Sequence, residues 1–213
     1  MTLQPTVGIN DHCMGPADAP VVLVEYGDFQ CPYSARARRV VNALLAHFGL
    51  SMRFVFRNFP LTEIHPDALC AAEVAESVAA HSGSDAYWVM HDLLFAHQGD
   101  SEWAFDDAHL VRYAGEAGAD PTAVAKDLGT GAHRKRIGEE VASGASNGVR
   151  STPTFFINGE RFDGDWTNLR VFGAALDAAE NSVEPDTDDP RELELEREAR
   201  EGADLMGDSR RSA

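Results

Sequence analysis

The sequence predicts an α/β domain built as a β-α-β half, a block of helices and a β-β-α half. Three observations carry this reading. Residues 21–26 (VVLVEY) and 52–58 (MRFVFRN) are short runs rich in β-branched and aromatic residues, as buried strands are. Between them Val40, Val41, Leu44, Leu45 and Phe48 recur at spacings that keep one helical face apolar. Downstream, Thr154–Ile157 and Glu160–Phe162 flank Asn158-Gly159, a dipeptide suited to a tight hairpin turn.

In chain order, residues 1–14 read as an N-terminal extension and 15–180 as the folded domain. Gly27, Asp28, Phe29 and Gln30 turn the chain after the first strand, and a helix begins at Cys31-Pro32. Pro32 suits a first helical turn, where its missing N–H costs nothing. The second strand comes next, and strand–helix–strand favours a right-handed parallel crossover. A helical insertion covers about 65–147, with pieces at Ala68–Ala80 and at 86–97, where Trp88, Leu93, Leu94 and Phe95 form a core-facing stripe. Asp106 can cap a helix through Gly115, Asp120-Pro121 opens another, and a further one covers His133 to Ser146. After the hairpin, a closing helix runs from about Thr167 to Ala179. Residues 181–213 carry eleven acidic and five basic side chains and few large apolar ones, so they read as an acidic, disordered tail, with a solvated helix expected at Arg191–Arg200.

Charge narrows the function. Against 35 acidic residues stand 18 basic ones, a net charge of −17, and the only lysines are Lys126 and Lys135. Such a surface repels phosphate backbones and anionic lipid, so neither nucleic acid nor membrane is an expected partner. No basic start precedes an apolar run at the N-terminus, and no stretch approaches 18 uninterrupted apolar residues. The three cysteines, Cys13, Cys31 and Cys70, form no disulfide framework. The reading is therefore a cytoplasmic protein with free thiols.

Cys31 is the informative residue. It follows a buried strand and begins a helix, where unpaired N–H groups and the positive end of the dipole favour a thiolate nucleophile. Pro32 and Tyr33 are expected to hold the turn and cover the sulfur, and Ser34 to offer it a hydroxyl. Glu25 within the first strand is a candidate for proton transfer, ahead of Asp28 on the turn. His65 is a candidate polar neighbour of the sulfur. Cys70 fits a small buried position, and Cys13, beside His12, lacks the further ligands a metal site needs. Pro153, just before an apolar strand, either simply starts that strand or follows a cis Thr152–Pro153 bond. No metal, flavin or nicotinamide site is visible, since no Gly-x-Gly-x-x-Gly follows a strand.

Three segments, Val24 to Tyr33, Phe54 to Pro66 and Gly148 to Gly159, together resemble the DsbA-like branch of the thioredoxin superfamily in order and spacing, over about residues 15–180. The resemblance implies a thioredoxin-like fold with an inserted helical subdomain, Cys31 as nucleophile, Pro153 as the cis-proline facing it, and Thr152-Pro153 as the edge that receives a substrate polypeptide. Its activity would be thiol–disulfide exchange on protein or small-molecule thiols and disulfides. One departure matters: the family's site is usually Cys-x-x-Cys, and this chain reads Cys31-Pro32-Tyr33-Ser34. Serine cannot resolve a mixed disulfide. Either an external thiol such as glutathione resolves it as co-substrate, or Cys70 or Cys13 does, or the protein only captures thiols. With no bound cofactor expected, reducing power comes from a low-molecular-weight thiol or a partner reductase. The alternatives are a redox-inactive module that binds peptides or a partner, and a glutathione transferase or isomerase like the kappa class, working through Ser34.

Overall fold

The computed structural model describes residues 2–101 and 103–182; the acidic tail anticipated beyond residue 182 lies outside them. In chain order the elements are β1 (His12–Met14), β2 (Val21–Gly27), α1 (Pro32–Phe48), β3 (Met52–Asn58), α2 (Ala68–His97), α3 (Asp107–Glu116), α4 (Pro121–Thr130), α5 (Arg134–Ser146), β4 (Thr154–Ile157), β5 (Glu160–Phe162) and α6 (Leu169–Glu180). They build the expected α/β architecture, a mixed sheet ordered β1-β3-β2-β4-β5, in which only the central β2–β3 pair is parallel. The helices expected up to residue 179 all form, and the one expected at Arg191–Arg200 lies outside the described residues. Residues 81–85 join two of them into α2, which kinks at Gly83 (φ 84°), in the region that favours glycine.

Strand β1 is the element the sequence reading lacks. His12–Met14 pairs antiparallel with Phe54–Phe56, so the N-terminal extension supplies an edge strand. Three residues are too few to show alternation. The extension reaches the opposite edge as well, where Thr2 bridges to Glu160.

The pleat sends alternate residues of β2 and β3 to opposite faces. Leu23, Phe54 and Phe56 join a core with Val41 and Leu44 of α1, Trp88 and Leu94 of α2 and Phe172 of α6. Leu93 and Phe95 of the expected stripe are only half-buried against that core. On the other face Val24, Tyr26, Val55 and Phe156 pack with Leu3, Phe59 and Val149.

A buried cation fastens the N-terminal segment to this second face. Arg57 donates from Nε and Nη2 to Asp11 at 2.7 and 3.0 Å, from Nη1 to Tyr26 Oη at 3.0 Å, and to the carbonyls of Pro5 and Thr6. A guanidinium taken out of water costs several kcal/mol, which only such a full set of acceptors offsets. The Arg57 bonds hold the Asp11 carboxyl below its ordinary range against the opposing effect of burial. Its contribution to stability is therefore present above the ordinary carboxylate range and lost as pH falls through it. Asp11→Ala leaves Arg57 buried with neutral partners only; denaturant melts near neutral pH should show a loss of about 3 kcal/mol, shrinking in acid.

Candidate active site around Cys31

The site forms where β2 ends and α1 begins, at the carboxyl edge of the parallel pair, the edge at which open α/β sheets place their ligands. Gly27 closes β2 because a Cβ there would overlap the Phe56 ring and lie 3.1 Å from Glu25 Oε1. The chain then turns, with the Cys31 N–H donating to the Asp28 carbonyl at 3.0 Å. Cys31 is the N-cap of α1, in extended conformation (φ −78°, ψ 120°), and Pro32 occupies the first turn.

The Cys31 residue is 4% exposed, and its Sγ donates to the Thr152 carbonyl at 3.4 Å, spanning 121 residues of sequence. The Thr152–Pro153 peptide is cis. Cys31, Thr152 and Pro153 thus meet. The sulfur makes no capping bond to the N–H groups of the first turn, unlike the sequence expectation, because it points at the proline loop instead. Tyr33, expected as its cover, is 62% exposed, so most of its ring faces solvent.

Ser34 is fully buried, and its Oγ accepts the Asp28 N–H at 3.3 Å; no bond to Cys31 Sγ accompanies it. Its hydroxyl braces the turn. The side chain at the centre of that turn is Asp28, ranked behind Glu25 by sequence. Asp28 Oδ1 accepts the Gln30 N–H at 2.7 Å, while Oδ2 accepts the Leu61 N–H and His65 Nδ1, both at 2.8 Å. Gln30 and Asp67 add a reciprocal pair at 2.8 and 3.1 Å. From the helical insertion, Gln98 Nε2 donates to the carbonyls of Phe29 and Cys31 at 2.7 and 3.0 Å. His65 therefore belongs to the turn through Asp28, and no bond links it to the sulfur. Gln98 escaped the sequence reading, and Asp28 entered it only as the second choice for proton transfer, not as the anchor of the turn. A turn aspartate and a glutamine at a helix end are common, and only long-range placement distinguishes these two.

Glu25 meets the opposite fate. It is 2% exposed, and its Oε1 has no hydrogen-bond partner. Burial pushes its carboxyl up to about 8, with Arg38 opposing only in part. A lone buried carboxylate costs far more than a neutral acid, so the group holds its proton.

The other cysteines lie elsewhere. Cys13 on β1 donates to the Asp11 carbonyl and receives Arg53 Nη2 at 3.2 Å; Cys70 lies half-buried in the first turn of α2. Burial raises both thiols above their ordinary value. Among the described residues all three cysteines are free, and no three His, Cys, Asp or Glu side chains gather as metal ligands. Among those residues, too, no helix is long and apolar enough to cross a membrane.

A lone cysteine at the start of the helix after the first parallel strand, facing a cis-proline loop, is the arrangement of a thioredoxin-fold protein. A family model described as thioredoxin matches residues 8–178, and the chain belongs to that family. Among solved structures, BdbD from Bacillus subtilis superposes with a TM-score of 0.76 at 20% identity, covering 84% of this chain and 97% of its own. Alpha-DsbA1 from Wolbachia pipientis gives 0.70 at 20% identity, covering 83% and 94%. Both show the fold. A curated relative from Salinispora arenicola, named Na(+)/H(+) antiporter NhaA 1, is 40% identical over 188 residues, 88% of this chain but 28% of that protein. The chain spans about a quarter of the length of the curated relatives it matches.

The raised Glu25 carboxyl sets a pH dependence. Between its ordinary value of 4.5 and about 8 the folded state holds a proton that the unfolded chain has lost. This group's contribution therefore falls as pH rises through that window. Glu25→Gln removes it. Denaturant melts at about pH 6 and about pH 9 should show a smaller fall in the variant than in the parent protein; an unchanged fall would contradict a protonated Glu25.

Proposed function

We propose that the protein is a thiol–disulfide oxidoreductase in which Cys31 is the nucleophile and an external small thiol such as glutathione completes the cycle. The observation that carries this is the meeting of Cys31 Sγ with the Thr152 carbonyl beside Pro153. On this reading, a disulfide approaching along Thr152-Pro153 is attacked by the Cys31 sulfur, which forms a mixed disulfide and expels the other half as a thiol. Glu25 is a buried proton store close to the β2 end. Because Ser34 is buried and bonded to the turn, it resolves nothing and stands poorly placed as a conjugating group. The second thiol must come from outside the Cys31-Pro32-Tyr33-Ser34 segment. Protein or small-molecule disulfides are the substrates, with a cytoplasmic thiol pool or a partner reductase supplying electrons.

One observation favours a second reading. Relatives similar over most of the chain carry antiporter names and are about three times its length. That supports a module that holds a partner protein in the proline groove without turnover.

Mild oxidation with glutathione and then peptide mass mapping separates the two. Exchange predicts one glutathione adduct, on Cys31, released by added thiol, and its loss in Cys31→Ala. A Cys31–Cys70 bridge would replace the external thiol with an internal one. No adduct at Cys31, with partner binding intact in Cys31→Ala, would leave the binding module.

A further inference from the structure

Resolution of the Cys31 adduct by an outside thiol needs something the sequence Cys31-Pro32-Tyr33-Ser34 does not supply, a group that takes the incoming proton. The loop after β3 holds one. His65 Nδ1 lies 2.8 Å from Asp28 Oδ2, and that oxygen also accepts the Leu61 N–H, so the ring nitrogen must be the donor. A neutral imidazole that donates from Nδ1 carries its lone pair on Nε2. No hydrogen bond occupies Nε2, and with the side chain 16% exposed it is not among the orphaned buried atoms; it faces solvent. The Asp28 side chain is fully buried, so the imidazole hangs from a fixed anchor. That anchor's own carbonyl accepts the Cys31 N–H, and its N–H is held by Ser34. The histidine, the nucleophile and the serine are thus tied to one residue.

Holding Asp28 occupies only one of the two ring nitrogens of His65 and leaves Nε2 without a structural task. The Leu61 N–H and the Gln30–Asp67 pair already fasten the 61–67 loop at both ends. We propose that His65, positioned by Asp28, is the base that deprotonates the small thiol resolving the Cys31 mixed disulfide. This rests on the monothiol reading above. In the step, the incoming thiol gives its proton to His65 Nε2 as its sulfur attacks the adduct's outer sulfur. A new small-molecule disulfide forms, the Cys31 Sγ–S bond breaks, and its electron pair stays on Cys31. No further oxidant or reductant is consumed.

The size of the effect is bounded. A free thiol is only a few per cent ionised near neutral pH, so a base can speed its attack by at most a few tens of fold. The test loads full-length protein with glutathione on Cys31 and times release in single turnovers, comparing the parent with His65→Asn, whose amide N–H can still donate to Asp28 while no basic nitrogen remains. Two resolving thiols are used: glutathione and thionitrobenzoate, an acidic aromatic thiol already ionised in the buffer. The inference expects release by glutathione to slow about tenfold or more, release by thionitrobenzoate to be little changed, and loading of Cys31 to be unaffected. Equal slowing with both thiols would mean a displaced loop, and no slowing with either would mean no base; each overturns the inference while the monothiol reading stands. Failure of the parent protein to form or release the adduct would overturn that reading and the inference with it.

Discussion

A carboxyl group sealed from water has to find its hydrogen bonds inside the fold, and Asp28 finds three N–H donors at once. Each such bond to a charged group contributes about 1.5–3 kcal/mol, together enough to offset a burial cost of several kcal/mol. The condition is that all three donors stay in place. Gln30 fixes the turn before Cys31, Leu61 the exit from β3, and His65 the loop leading to α2. The direction of the Cys31 side chain depends on this convergence: the turn is tied below by β2, behind by the 61–67 loop and above by Gln98 from the helical insertion. The insertion therefore shapes the site through backbone carbonyls, without contributing a side chain to the sulfur's own contacts.

Glu25 shows what happens when that condition is not met. It lies three residues before Asp28, equally hidden, with one oxygen unpartnered. The physics that lets Asp28 organise a turn forces Glu25 to keep its proton. Two acids close in sequence thus divide the labour, one holding shape and the other holding a proton. His91 repeats the second pattern: burial among Phe29, Phe56 and Phe95 holds its imidazole down at about 4, and its Nε2 is orphaned. Glu25 and His91 are thus both held neutral by burial, beside an Arg38 that is paired with Asp92.

Most of the fold was legible in the sequence because its signals are local. Short runs rich in β-branched and aromatic residues mark β2 and β3, Asp106 and Asp120 cap α3 and α4, and Asn158-Gly159 turns β4 into β5. The site was half legible. Cys31 and Pro153 stand out by position, one just after a strand and the other just before one, whereas the approach of Cys31 to the proline loop, at Thr152 across 121 residues, came only from resemblance. Gln98 and the Arg57–Asp11 pair carry no local mark, and Asp28 is marked only by its place on the turn, because their roles exist only once distant segments are adjacent. β1 was missed for the same reason, being strand-like through its partner and not through its own three residues.

The serine at position 34 is best understood against this background. A thiol there would face the buried interior of the turn, where Ser34 Oγ now accepts the Asp28 N–H. Oxygen is the stronger acceptor for that N–H, so the serine tightens the turn that presents Cys31 even as it removes the internal route to resolution. On the proposed reading the two effects belong together. A nucleophile that must hold its adduct until an outside thiol arrives gains from a rigid turn. On that same reading, what the chain gives up in autonomy it recovers as a well-fixed single sulfur, with the external thiol as the proposed second half of the cycle.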